Sequence, residues 1–255
     1  MMSRVINSFL LLPGLTLGLL GLISTVANAL PPIPERHYPP QSPIPSSSRD
    51  GGGRRGDCPS EITPMIAIVS EAYWNGGLTQ SEHPTLWIRL PFDIIDDEDH
   101  ERAMLLTLRG VGSDESDYIF REVFRELNLR HGLVGLPLAS TDFVLPLDQT
   151  LVWSLSLYCD AGDDLFDYSV SGWIARVEEP ELNQLVPTSA SAVELSDAYR
   201  DNGLWYDALN VLTEALQEET AIAPSIRSDL QQLLLEGELE PISDETPIQY
   251  LSFPD

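Results

Sequence analysis

The spacing of apolar residues changes once along this chain, near residue 180, and that change separates a β part from an α part. Before it, apolar and polar residues alternate in short runs between turn-forming residues, which is typical of half-buried strands. The clearest run is 151–159, in which every second side chain is apolar. After residue 180, apolar residues recur every three or four positions, as in an amphipathic helix. We therefore expect an α+β protein.

The β part is expected to occupy residues 57–180. Seven segments in it have the strand pattern, namely 65–70, 85–90, 102–109, 117–124, 132–138, 151–159 and 168–177. Short strands at close intervals with turn residues between them are typical of sandwiches. We predict a seven-stranded antiparallel β-sandwich of the immunoglobulin or fibronectin type.

The α part is expected to be a small helical hairpin over residues 181–240, followed by an acidic tail over 241–255. Ser191 and Glu194 have the spacing of a capping box, which begins a helix that Gly203 ends. Further helices are expected over 204–217 and 226–235. The apolar and small residues have spacings similar to one tetratricopeptide-type repeat: Leu195, Ala198, Tyr199, Gly203, Ala208, Leu212, Ala215 and Leu216. There is no second copy, and a solenoid needs about three.

Residues 1–29 have the parts of a secretory signal. Arg4 precedes an apolar run over 9–26, and Ala27-Asn28-Ala29 forms a cleavage site of small residues. We expect cleavage and export to the periplasm or cell surface. The alternative is an uncleaved anchor, because the apolar run has 18 residues and approaches the length that spans a bilayer.

Residues 30–56 are rich in Pro, Gly and Ser and are predicted to be a linker. Cys58 follows the linker, and Cys159 ends the clearest strand. Export would place both in an oxidising compartment, so we predict that they form a disulfide. The alternatives are two buried thiols or a redox pair, although a redox pair normally has C-x-x-C spacing, which this chain lacks.

The charge of the chain restricts its partners. There are 40 acidic residues against 14 basic ones, giving a formal net charge of -26. Such a field repels phosphate backbones and anionic lipid headgroups, so we expect no nucleic-acid partner and no stable membrane insertion after signal cleavage. The sequence also has no G-x-S-x-G, no H-E-x-x-H and no phosphate-binding glycine loop in a strand–helix context. We expect no enzyme activity and no cofactor.

Two acidic runs are the candidate metal ligands. The first contains Asp96, Asp97 and Asp99, and the second contains Asp160, Asp163 and Asp164. Calcium takes oxygen ligands from flexible loops, so the two runs are candidates for a calcium site. Neither run has EF-hand spacing. The other interpretation is that both are solvated loops that protect the edges of the sheets.

Trp205 and Tyr206 are the candidate partner-binding residues, together with Trp74. Tyr and Trp offer a large apolar area with a polar group, which suits an exposed contact surface. The other interpretation is that a tryptophan at the start of a helix packs beneath the neighbouring part of the protein.

Five segments together resemble an exported cyanobacterial family called domain of unknown function 928. They are GGGRRGDCP at 51–59, GLTQSEHPTLW at 77–87, WSLSLYCD at 153–160, GWI at 172–174 and NGLWYDAL at 202–209. The resemblance implies export, a cyanobacterial source and a shared build. It implies no activity, cofactor or catalytic residue.

These observations lead us to expect an exported, non-enzymatic interaction or scaffold protein whose partner is another exported or surface protein. A calcium-dependent surface module or glycan-binding module is the first alternative. The second is a carbohydrate-active hydrolase, which would need two converging carboxylates in a cleft.

Overall fold

The computed structural model describes residues 64–96, 101–113, 117–162, 166–179, 182, 187, 189–218, 223–243 and 245–253. The signal and linker predicted for residues 1–56 lie outside this part of the chain. The described part is a mixed α+β protein with a helical part near its C-terminal end, as the change in spacing predicts. None of its helices is long and apolar enough to cross a membrane.

The described residues contain eleven strands, three α-helices and two short 3₁₀ helices, Glu71–Tyr73 and Leu138–Ser140. The first six strands are β1 (Ile66–Ala67), β2 (Gly76–Thr79), β3 (Thr85–Leu90), β4 (Ile94–Ile95), β5 (Ala103–Gly110) and β6 (Phe120–Phe124). The next four are β7 (Asn128–Leu129), β8 (Gly132–Pro137), β9 (Thr150–Tyr158) and β10 (Tyr168–Arg176). The helices α1 (Ala192–Asp201), α2 (Trp205–Glu218) and α3 (Ala223–Glu236) follow, and β11 (Ile248–Tyr250) comes last.

The strands form three sheets. One has four strands in the order β1-β3-β8-β11, and another has five in the order β2-β10-β9-β5-β6. The strands β4 and β7 form a small antiparallel pair. The buried apolar residues of the two larger sheets and of the helices form one continuous core.

The prediction of a seven-stranded antiparallel sandwich is wrong in strand number and in strand direction. Each predicted segment contains a strand, but β2, β4, β7 and β11 were not predicted. The strands β2 and β10 run parallel, as do β8 and β11. A two-residue strand has no periodicity to detect. The strand β2 is buried at every position and begins with two glycines, so it shows no alternation either.

The capping box that begins α1 is confirmed. The hydroxyl oxygen of Ser191 accepts a hydrogen bond from the Glu194 amide at 3.3 Å, and the Glu194 carboxylate accepts one from the Ser191 amide at 2.8 Å. Gly203, with φ +74°, lies in the turn between α1 and α2. Helix α2 packs between α1 and α3 and also contacts β2 and β3.

Two aromatic residues in the first turn of α2 join the helices to the sheets. The indole N–H of Trp205 donates to the Ile68 carbonyl at 3.3 Å. The hydroxyl of Tyr206 accepts from the Trp153 indole at 2.9 Å and donates to the Trp173 carbonyl at 2.9 Å. Burial raises the pKa of Tyr206 well above its usual value. The helical part therefore shares the core of the β part.

The carboxylate of Asp207, in the same turn of α2, contacts the end of β2. It accepts a hydrogen bond from the Gln80 amide at 3.0 Å and further hydrogen bonds from Thr79 and Ser81. Burial nevertheless raises the pKa of Asp207 to about 6, because the ionised form loses more hydration than these bonds restore.

The segment predicted as an acidic tail contributes an edge strand. In it, β11 runs parallel to β8, and the Leu251 amide donates to the Gly135 carbonyl at 2.8 Å. The Tyr250 ring packs against Trp87 with centroids 5.3 Å apart. A Cβ atom at Gly135 would lie 2.8 Å from the Tyr250 ring, so only glycine leaves room for it.

Candidate functional site

The two larger sheets end at neighbouring edges, and a groove lies between them. The last strand of the five-stranded sheet is β6, and the last strand of the four-stranded sheet is β11. A cavity of about 990 Å³ is lined by side chains from β6, from residues 137–143 and from residues 250–253. A second cavity, of about 550 Å³, lies along residues 123–129 and shares the wall 250–253. We call these two cavities the edge groove.

Hydrogen bonds hold the wall that contains Phe143 in place. The Phe143 carbonyl lies 2.8 Å from Nδ1 of His83, and the Leu145 amide donates to the Glu82 carbonyl at 2.9 Å. The hydroxyl of Thr141 donates to the Leu138 carbonyl at 2.7 Å. The first two bonds join segments that are distant in sequence, and the third closes the local turn, so both the fold and the turn position this wall of the groove.

Aromatic pairs line the groove on both sides. The rings of Phe120 and Phe143 have centroids 5.0 Å apart and are tilted by 43°. Phe124 and Phe253 meet edge to face at 4.8 Å. Phe124 is buried, whereas Phe120, Phe143 and Phe253 are partly exposed. Partly exposed aromatic rings offer a bound ligand a large apolar contact area at little conformational cost.

One edge of β6 faces the groove. Among the described strands, β6 pairs with β5 alone. The Val123 amide donates to the carboxylate of its own neighbour, Glu122, at 3.2 Å. The Leu108 carbonyl of β5 accepts from the Ile119 amide at 2.9 Å and therefore faces β6, where Leu108 lies opposite Phe120. Successive amides of a strand point to opposite edges, so the Val123 N–H, three residues after Phe120, points towards the open edge.

Carboxylates make the larger cavity of the groove acidic. Glu122 and Asp142 both line it, and no basic side chain does. The smaller cavity is lined by one residue of each charge, Arg125 and Glu126. The chain as a whole carries a formal charge of -26, so the larger cavity favours a ligand with positive groups.

The two candidate metal ligands that the structure describes, Asp96 and Asp160, accept hydrogen bonds from backbone amides. The Asp96 carboxylate accepts hydrogen bonds from the amides of Arg102 and Leu127, each at 3.0 Å. The Asp160 carboxylate accepts one from the Gly162 amide at 2.8 Å. The remaining candidates, Asp97, Asp99, Asp163 and Asp164, lie outside the described residues. Within the described ranges, no three His, Cys, Asp or Glu residues are grouped so as to hold a metal ion.

The disulfide prediction rests on one cysteine that the structure describes. Cys159 follows β9, is 1% exposed and is not a free thiol. Its amide donates to the buried carboxylate of Asp167 at 2.8 Å. Cys58 lies outside the described residues, so the pairing stays a prediction.

Trp205 and Tyr206 do not form a surface for a partner. Their relative exposures are 1% and 0%, because both side chains fill the space between α2 and the sheets. The alternative interpretation, that they pack beneath the neighbouring part of the protein, is the correct one. Trp74 is 46% exposed in a turn where it and Asn75 have positive φ angles.

Sequence reasoning missed the edge groove. Phe120, Phe143 and Phe253 are far apart in sequence, and no local pattern indicates that they meet. The only local signal was the mixture of charged and apolar residues in β6, since charges are common on edge strands.

We compared the chain with curated proteins and with models of protein families. No curated protein matches the chain. The model of one family, described as Domain of Unknown Function (DUF928), matches residues 50–247, which include the described strands β1 to β10 and the three helices. This match covers most of the chain and confirms the resemblance seen in the five segments. The protein belongs to the DUF928 family.

Proposed function

We propose that this protein is an exported, non-enzymatic interaction protein that binds a polypeptide segment of a partner in the edge groove. The observation that carries the proposal is the open edge of β6 beside aromatic rings and carboxylates. A strand edge offers regularly spaced amide and carbonyl groups, which recognise any extended main chain, while neighbouring side chains select the sequence.

The charge of the groove supports a basic segment as the ligand. Glu122 and Asp142 line the cavity that the partner would fill. An acidic or phosphorylated ligand would be repelled both there and by the field of the whole molecule. We therefore infer that the partner's segment combines basic and apolar residues.

The compartment follows from the signal-like residues 1–29, and the partner is accordingly a periplasmic or surface protein. A disulfide between Cys58 and Cys159 is part of the same proposal, because such bonds persist in an oxidising compartment. The buried position of Cys159 after β9 suits a structural bond rather than a reactive thiol.

Glycan binding is the second candidate function. Hydroxyls from Ser140, Thr141 and Ser252 line the larger cavity beside its aromatic rings and carboxylates, and such a mixture also suits a sugar. Glu122 and Asp142 would be the carboxylates of the hydrolase alternative. The calcium alternative has less support, because Asp96 and Asp160 already accept backbone hydrogen bonds.

A panel of random twelve-residue peptides, applied to the chain from residue 30 onwards, tests the proposed function. We expect the bound peptides to be basic and apolar, and their binding to be lost in Phe143→Ala and in Glu122→Lys. Glu178→Lys is the matched control. Its exposed side chain follows β10, near the end of the five-stranded sheet that is opposite to β6.

Peptide binding that survives both groove variants would place the interaction elsewhere and reject the proposal. Binding of soluble oligosaccharides, lost in the same variants while no peptide binds, would favour the glycan alternative instead.

A further inference from the structure

We propose that the partner's segment adds to β6 as a sixth strand of the five-stranded sheet, with a basic residue opposite Glu122 and an acidic residue opposite Arg121. This inference rests on the proposed function, because it specifies how the polypeptide is held in the edge groove.

The alternation of β6 sets the pattern that its partner must have. Phe120 and Glu122 line the larger cavity, whereas Arg121, between them, is exposed. In a sheet, directly opposite residues on paired strands point to the same face. An added strand therefore places an apolar side chain beside Phe120 and a cation beside Glu122 on the cavity face. On the other face it places an anion beside Arg121.

The free length of the edge fixes where the added strand begins. Phe253 already covers Phe124, so the first open position lies opposite Val123. From there the edge continues past Phe120 to Ile119, which is 47% exposed and can take a further apolar residue. For an antiparallel strand, the order from Val123 to Phe120 is apolar, basic, acidic, apolar.

A second copy of this chain suits the edge less well than a segment with complementary charges. If two β6 strands pair around a two-fold axis, residues that share a face must lie opposite each other. Pairing that is centred on Arg121 or on Glu122 places that residue opposite itself, and pairing that is centred on Val123 places Arg121 opposite Arg125. Like charges directly opposite each other destabilise a pair of strands.

Pairing that is centred on Phe120 avoids like charges, but it places Arg121 opposite Ile119 and Glu122 opposite Tyr118, so neither charge meets an opposite one. Opposite charges on facing residues stabilise a pair of strands, so a different polypeptide with complementary charges fits the edge better.

Two fluorescein-labelled peptides of identical composition test the order of the charges. Thr-Val-Arg-Glu-Leu-Val matches β6, and Thr-Val-Glu-Arg-Leu-Val exchanges the two charges. Each is also made with its sequence reversed, so that a parallel strand is tested too. We expect fluorescence anisotropy to show that the chain from residue 30 onwards binds the exchanged peptide about tenfold more weakly than the matched one, in one of the two directions.

A protein variant with exchanged charges provides the reciprocal test. The double variant Arg121→Glu, Glu122→Arg should prefer the exchanged peptide by about the same factor. Circular dichroism and melting curves first establish that the variant folds like the unmodified chain. A preference between the two peptides that reverses in the double variant cannot come from nonspecific attraction, because both peptides carry the same net charge.

The outcomes separate this inference from the proposed function. If both peptides bind equally well and Phe143→Ala abolishes their binding, the proposed strand register is wrong, but the proposal that the groove binds a polypeptide stands. The same conclusion follows if neither peptide binds while peptides of the random panel bind and lose their binding in Phe143→Ala. Failure of the panel as well would reject both proposals. Dimerisation of the chain that is abolished by Glu122→Lys would overturn the inference in favour of a second copy.

Discussion

Replacing Asp207 by Asn should remove the loss of stability that this buried carboxyl causes as the pH rises from 3.8 to about 6. Burial raises the pKa of this carboxyl from 3.8 to about 6, although amides and a hydroxyl at the end of β2 donate to it. The folded chain therefore binds this proton more tightly than the unfolded chain does. The stabilisation that results is complete below pH 3.8 and is lost as the pH rises through about 6.

The magnitude follows from the size of the shift. A difference of about 2 pKa units corresponds to about 3 kcal/mol, at about 1.4 kcal/mol per unit. Asn has nearly the same shape as Asp and does not ionise. The free energy of unfolding of the unmodified chain, minus that of Asp207→Asn, should therefore fall by up to about 3 kcal/mol between pH 3 and pH 8.

Urea unfolding followed by tryptophan fluorescence measures this difference, because Trp87, Trp153, Trp173 and Trp205 are all buried. Asp201→Asn is the control, since it makes the same chemical change on an exposed side chain of α1. A difference between the unmodified chain and Asp207→Asn that stays constant across this pH range would refute the reasoning.

Three further changes test the core. Tyr206→Phe removes a hydroxyl that makes two buried hydrogen bonds and should lower the free energy of unfolding by about 1 to 3 kcal/mol, measured by urea unfolding. Gly77→Ala would place a Cβ atom 2.6 Å from Cβ of Trp205, and should cost about 1 to 3 kcal/mol in the same assay. If Cys58 and Cys159 are paired, non-reducing peptide mapping will recover them linked, and reduction should cost about 4 to 5 kcal/mol.

The local patterns of the sequence predicted those elements that have a clear period. Alternation over 151–159 predicted β9, and the spacing of Ser191 and Glu194 predicted the start of α1. The strand β2 was not predicted, because Gly76 and Gly77 supply no alternating side chains and instead leave room for tryptophan side chains. Such a role depends on residues distant in sequence, so no local pattern reveals it.

The candidate site could not be predicted for a related reason. Glu122, Phe143 and Tyr250 belong to three segments that meet only because β6 and β11 are both edge strands. Trp205 and Tyr206 have the composition of a contact surface, but their positions in α2 turn them towards the core. The residue types correctly indicated that these side chains make extensive contacts, but the contacts are with the core of the protein and not with a partner.

The packing of α2 also affects how this protein should be tested. A chain cut after residue 180 would lose Trp205, Tyr206 and Asp207 from the shared core, and it would lose β11 from the four-stranded sheet. Loss of binding in such a chain would reflect unfolding. Single substitutions in the intact chain are therefore the appropriate tests.

Hydrogen exchange of β6 in the presence of a bound peptide tests the central claim most directly. The amides of Phe120–Phe124 should become more slowly exchanging when a panel peptide or the matched peptide binds, with Val123 the most affected because its N–H points to the open edge. The same peptides should leave exchange in Phe143→Ala unchanged. Protection that appears in α1 to α3, with none in β6, would contradict the account.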